Sequence, residues 1–232
     1  MECGGEGLMA TKLPATDVVV IGFGWVGAIM AQELTEAGLN VVALERGGWQ
    51  DTGASANVGY AQDELRFVQR QQLMVETAQS TITFRNRIDQ MALPVRQWGA
   101  FRPGNGVGGA GWHWAGVYWR YLPDEFRMRS RIAERYGADK LPDYMTIEDW
   151  GVTYDELEPF YDRFEYLCGI SGKAGNLNGA IQEGGNPFEG PRKREFPTPP
   201  LQQTYLPALF AEGARKLGYK PFPLPSANLS RP

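Results

Sequence analysis

DVVVIGFGWVGAIMAQELTEAGLNVVALERG, residues 17–47, encodes one βαβ unit in about 30 residues. Val18 to Gly22 is an apolar, β-branched run of the kind that forms a strand buried on both faces. The turn Gly22-Phe23-Gly24-Trp25-Val26-Gly27 follows at once, spaced as G-x-G-x-x-G. Val26, Ile29, Met30, Ala31 and Leu34 then recur at helical spacing up to a stop at Gly38, and Val41 to Leu44 is a second buried strand closed by Glu45. Gly22 permits the tight turn, Gly24 lets backbone approach a pyrophosphate, and Gly27 lets the helix pack closely on the sheet. The helix N-terminus offers amide donors and a positive dipole end to phosphate. Glu45, about 18 residues past Gly27, is placed to accept from the adenosine ribose hydroxyls. Its charge argues against a 2′-phosphate, although Arg46 follows. The unit is a dinucleotide site that does not by itself separate NAD from FAD.

The 232 residues are globular in composition and long enough to bury a sizeable core. A net charge of −4 with interspersed signs gives no field for nucleic acid and no polybasic membrane patch. No apolar run approaches the roughly 18 residues that span a bilayer, so no direct membrane insertion is expected. The N-terminus has neither a basic region nor a hydrophobic signal core, which predicts synthesis as a cytoplasmic polypeptide. A partner could still carry it to the periplasm or a membrane. Cys3 and Cys168 have no metal-type spacing, and no metal site is expected.

Residues 1–12 read as a flexible tail and residues 13–168 as the cofactor-binding domain. Trp49 to Gly59 reads as a loop, and a loosely helical segment follows through Glu76. Thr81 to Phe84 is a short strand with a turn at Arg85–Arg87, and Pro94 to Trp98 is extended. A second glycine stretch, Gly104-Asn105-Gly106-Val107-Gly108-Gly109-Ala110-Gly111-Trp112-His113-Trp114-Ala115-Gly116, would be a poor strand or helix. It suits a backbone wrap around a flat ligand; the alternative is a turn with Trp112 and Trp114 as core anchors. Val117 to Leu122 is strand-like. Pro123 to Lys140 reads as a charged, solvated helix in which Arg127, Arg129, Arg131 and Arg135 face Asp124, Glu125 and Glu134; the alternative is a phosphate or partner site.

Thr153 and Glu156 form a capping box, and Leu157, Phe160, Tyr161, Phe164 and Leu167 an apolar core stripe. Pro159 predicts a short turn with the helix starting there. Residues 169–204, rich in glycine and proline, read as a lid or interface arm. Residues 205–232 are a helix marked by Leu206, Leu209, Phe210 and Leu217, stopping at Gly218, then an extended end through Pro221, Pro223 and Pro225.

The two glycine stretches together resemble the glucose-methanol-choline oxidoreductase superfamily. GVGGAGWHWAG is similar to its second motif, and VYWRYLPDEFRMRS brings it closest to the flavoprotein subunits of bacterial gluconate, fructose, sorbitol and glucose dehydrogenases. The resemblance covers about residues 13–232. It implies a Rossmann-like α/β domain in which a parallel sheet with flanking helices binds FAD, joined to an incomplete substrate-side region. It places Gly22, Gly24, Trp25, Val26, Gly27, Glu45, Arg46, Gly106, Val107, Gly108, Gly109, Trp112, His113, Trp114 and Ala115 at the cofactor. His113 falls where some members carry a histidine joined covalently to the flavin C8-methyl carbon. The alternative is a histidine that only packs and hydrogen-bonds near the ring.

The implied reaction is oxidation of a sugar or alcohol CH–OH group by hydride transfer to flavin N5. The implied partners are a haem c electron-transfer subunit and a small chaperone-like subunit. Full members are over twice this length and take their base from a C-terminal half, so the resemblance implies a truncated chain without a catalytic residue of its own. Two other readings stay open: a non-catalytic polypeptide that binds flavin or a partner, and an NAD-dependent enzyme using only the first unit.

Overall fold

The computed structural model describes residues 12–49, 82–85, 87–94 and 104–231, with only the backbone of His113. The chain divides into two compact units, Met1–Trp114 and Ala115–Pro232. That boundary falls well before the expected division at residue 168.

In the first unit, β1 (Val18–Ile21), α1 (Trp25–Glu36) and β2 (Val41–Leu44) form the expected βαβ unit. The strands run parallel, from Val18 opposite Val41 to Ile21 opposite Leu44. Asp17 sets this register, because its carboxylate accepts from the backbone N–H (2.8 Å) and side-chain amide (3.0 Å) of Asn40. Gly38, at φ +85°, turns the chain out of the helix.

The expectation of strands buried on both faces is corrected. β1 alternates between half-buried and exposed residues, and Ile21 is 86% exposed. The reason is local: among the described residues the parallel sheet has two strands and α1 beside them, which leaves the other face open. Thr83–Phe84 (β3) and Leu93–Pro94 (β4) form a short antiparallel pair. The other expectations for residues 1–11, 50–81 and 95–103 lie outside the described residues.

The second unit begins with an extended segment in which Tyr118 and Arg120 are buried and their neighbours Val117, Trp119 and Tyr121 are exposed. A 3-10 turn leads into α2 (Met128–Tyr136). Its charges are solvated as expected, with Arg127 paired to Glu134 and Arg131 to Asp124.

Helix α3 (Tyr154–Cys168) starts at the capping box. The Glu156 N–H donates to Thr153 Oγ1 (3.2 Å) and the Thr153 N–H to Glu156 Oε2 (2.7 Å). The expected break at Pro159 does not occur. A cap upstream fixes the first turn, and proline this near the start removes one backbone bond, whose carbonyl belongs to exposed Asp155. Thr153→Ala is expected to cost about 1 kcal/mol, read as a lower urea midpoint; an unchanged midpoint would show that the cap contributes nothing.

The apolar stripe is also corrected. Phe160 is 65% and Leu167 56% exposed, while Tyr154, Glu158 and Glu165 are the buried residues of α3. What turns this face inward is an ion network. Glu165 accepts from Arg120 Nε (2.7 Å) and Nη2 (3.0 Å) and from Arg192 Nη2. Arg120 Nη1 donates to Tyr154 Oη (3.1 Å) and Glu158 Oε1 (3.3 Å). Arg192 also lies over the Phe196 ring, 3.7 Å from its centroid.

Residues 169–204 carry the hairpin of β5 (Asn176–Leu177) and β6 (Ala180–Ile181) and are anchored along their length. Ile170, Ser171, Ala174, Arg192 and Phe196 are all buried. Helix α4 (Tyr205–Lys216) ends before Gly218, at φ +83°, and the proline-rich end then exchanges backbone bonds between Ser226 and Ser171 (2.7 and 2.9 Å). Among the described residues no helix is long and apolar enough to cross a membrane.

Candidate cofactor site

The glycine turn behaves as its spacing requires. Gly22 sits at φ +90°, in the left-handed region. A Cβ on Gly27 would lie 2.1 Å from the Gly22 carbonyl oxygen and 3.3 Å from Val20 Cγ1, so α1 sits against the turn and β1 only because that residue is glycine. At Gly24 φ is −77°, and a Cβ would meet nothing nearer than Gly109 Cα at 3.8 Å. Among the described residues nothing takes the room beside Gly24. Gly24 is the N-cap of α1, no side chain caps it, and the first turn carries no acid. The N-terminus of this 12-residue helix therefore presents its positive dipole end without a side-chain cap, the arrangement that suits an anionic ligand.

The second glycine stretch lies against this turn. Gly108 pairs with Gly24 in a parallel bridge, its N–H donating to the Phe23 carbonyl at 2.8 Å. The Val107 N–H donates to the Gly48 carbonyl at 3.1 Å. Gly106, Gly108 and Gly109 all have positive φ, and a 3-10 turn follows over Gly109–His113. Close approach rules these positions: a Cβ on Gly47 would fall 2.2 Å from Gly106 N, and one on Gly111 2.1 Å from Trp25 Nε1. Trp25 and Trp114 stack edge to face at 5.7 Å, and Trp112 Nε1 donates to the Val107 carbonyl. Both tryptophans thus hold the stretch in shape, as the core-anchor alternative expects, while the glycine backbones line the turn.

Glu45 sits at the junction. Its Oε2 accepts from the Phe23 N–H (2.7 Å) and its Oε1 from the Gly47 N–H (2.9 Å). The Gly47 amide, then that of Phe23, holds its carboxyl below the usual carboxylate range. Arg46 turns aside, its Nε donating to Asn105 Oδ1 at 3.3 Å.

A family model described as FAD dependent oxidoreductase matches residues 17–165. The chain belongs to this family. The match takes in both glycine stretches, and an FAD-dependent oxidoreductase implies a Rossmann-like α/β fold, which the parallel β1–β2 pair begins. The chain is 48% identical over 98% of its length to gluconate 2-dehydrogenase flavoprotein of Pantoea cypripedii. It is 30% identical over 97% to fructose dehydrogenase large subunit of Gluconobacter japonicus, and 29% identical over 97% to 2-methyl-1,2-propanediol dehydrogenase of Mycolicibacterium austroafricanum. It spans 38%, 38% and 35% of those relatives' own lengths.

The residues present fit the family's cofactor. A helix N-terminus with no side-chain cap, open space at Gly24 and positive-φ glycines beside it form a cradle that a pyrophosphate would fit and that side chains would fill. Of the fifteen expected residues, Gly22, Gly24, Trp25, Gly27, Glu45, Gly106, Val107, Gly108, Gly109, Trp112 and Trp114 join this cluster. Val26 is exposed beside Gly27, Arg46 reaches Asn105, and Ala115 is the first residue of the second unit. The side chain of His113 lies outside the described residues. Sequence reasoning missed Phe23, Gly47, Gly48 and Asn105, whose backbone or amide groups bind the loops together; the Gly47–Gly48 pair just past Glu45 and Arg46 was the available signal.

Proposed function

We propose that this chain is the FAD-binding portion of a glucose-methanol-choline-type dehydrogenase that oxidises a CH–OH group of a sugar or alcohol. The observation that carries the reading is the bridge between Gly24 and Gly108, which joins two distant glycine motifs around one cradle. An NAD enzyme using only the first unit has no use for the second motif. In this reading the α1 N-terminus and Gly24 take the pyrophosphate, Glu45 faces the adenosine ribose, and Gly106–Trp114 follows the flavin. FAD supplies a hydride acceptor, flavin N5, for the carbinol carbon of the substrate. The chain's one histidine, His113, anchors the flavin C8-methyl carbon, so the chain contributes no histidine base. Its own residues bind and orient the cofactor. The names of two relatives, a flavoprotein and a large subunit, favour partner subunits; a haem c electron carrier among them rests on the superfamily resemblance alone.

The test is the visible spectrum of the purified protein before and after acid precipitation. Yellow colour that stays with the precipitate is expected, and His113→Ala should release it to the supernatant. Colour released by the unaltered protein would keep FAD and remove the covalent link. Tight NAD binding without flavin would replace the reading altogether.

A further inference from the structure

We propose that Glu45 is a positioning residue whose carboxylate brackets the two glycine motifs into one cradle. The argument is geometric. One oxygen holds the Phe23 amide and the other the Gly47 amide. Each of those residues leads on to the second motif: the Phe23 carbonyl accepts from Gly108 N–H, and the Gly48 carbonyl beside Gly47 accepts from Val107 N–H. Gly47 and Gly106 are also too close for any side chain. The carboxylate therefore acts through Phe23 and Gly47–Gly48 on the two amide-rich edges of the cradle. It does so through backbone amides, and those of Gly106 and Arg46 also help to hold the carboxyl low.

Only a carboxylate serves both amides. Glutamine at this position has one acceptor and sets its own N–H₂ against a backbone N–H. Among the described residues of the two motifs no charge competes: neither Gly22–Gly27 nor residues 104–111 contain a titratable side chain, and Arg46 is turned to Asn105. Because the carboxyl is held below its ordinary value, the bracket is complete above the ordinary carboxylate range and lost as pH falls through the depressed value.

The cofactor consequence rests on the FAD reading, and the bracket itself does not. The first measurement uses cofactor-free protein. In Glu45→Gln, amide hydrogen exchange at Phe23, Gly47, Val107 and Gly108 is expected to rise about tenfold, the loss of one charge-assisted bond. Unchanged exchange at Val107 and Gly108 would overturn the proposal. A second measurement uses the unaltered protein and so does not depend on a variant folding. The amide-proton shifts of Phe23 and Gly47 should titrate together with one midpoint below the ordinary carboxylate value; separate or ordinary midpoints would overturn it.

Binding then separates positioning from ribose contact. Glu45→Gln should lose about tenfold affinity for ADP and for 2′,3′-dideoxy-ADP alike. A loss confined to ADP would show ribose contact without a bracket. Failure of the unaltered protein to bind ADP would count against the FAD reading and leave the exchange result to decide the bracket.

Discussion

Glu165→Ala should destabilise the second unit by about 3–5 kcal/mol, enough to unfold a large fraction of a typically marginal domain. Glu165 is 0% exposed, and its carboxylate faces two guanidiniums, those of Arg120 and Arg192, that are themselves buried. Removing it leaves two cations without their shared counter-ion in a place where water does not reach. Burial penalises uncompensated charge far more than an intact pair rewards it. The same change at Glu134, whose pairs with Arg127 and Arg131 are exposed, should cost no more than about 1 kcal/mol. Urea denaturation of both variants measures the contrast, and equal midpoints would show that the network is solvated.

Gly24→Ala and Gly27→Ala should part company. At Gly27 the new methyl would lie 2.1 Å from the Gly22 carbonyl oxygen, so α1 has to move off the turn. Overpacking of this kind costs about 1–3 kcal/mol, and flavin binding falls with the fold. At Gly24 the backbone is already open to any residue, and the nearest neighbour would be 3.8 Å away. The fold should lose about 1 kcal/mol at most, for a poorer helix N-cap. FAD affinity should nevertheless fall about a hundredfold, because the methyl occupies the room through which the pyrophosphate approaches. Parallel thermal melts and flavin titrations distinguish the two. Wild-type flavin affinity in Gly24→Ala would remove Gly24 from the site.

The first motif was legible because each of its glycines answers a local demand: a positive φ at Gly22, a helix contact at Gly27, an open approach at Gly24. The second motif was legible as backbone that approaches something closely, yet nothing in its composition says which backbone it lies against. That partner is the Phe23 carbonyl, and a carbonyl leaves no trace in residue type. Glu45 was read as a ligand contact, and its two backbone amides were invisible for the same reason. The α3 face was misread for a different cause. Periodicity counts apolar side chains, and the face that turns inward carries Glu158 and Glu165, whose burial depends on arginines at 120 and 192 supplied by other segments. Charge in a sequence reads as solvation until its partners are placed.

The bridge between Gly24 and Gly108 also bears on the order in which the molecule takes shape. β1 and β2 pair through a short connection, and the Glu45–Phe23 bond spans 22 positions. The bridge closes a loop of roughly eighty residues, and closure entropy grows with loop length before any contact repays it. The two halves of the cradle therefore meet late, after the βαβ unit that carries the first half has already formed. A ligand with phosphates for one half and a ring system for the other would add its binding free energy to a contact that Glu45 has already closed, and so raise the stability of the late-formed half.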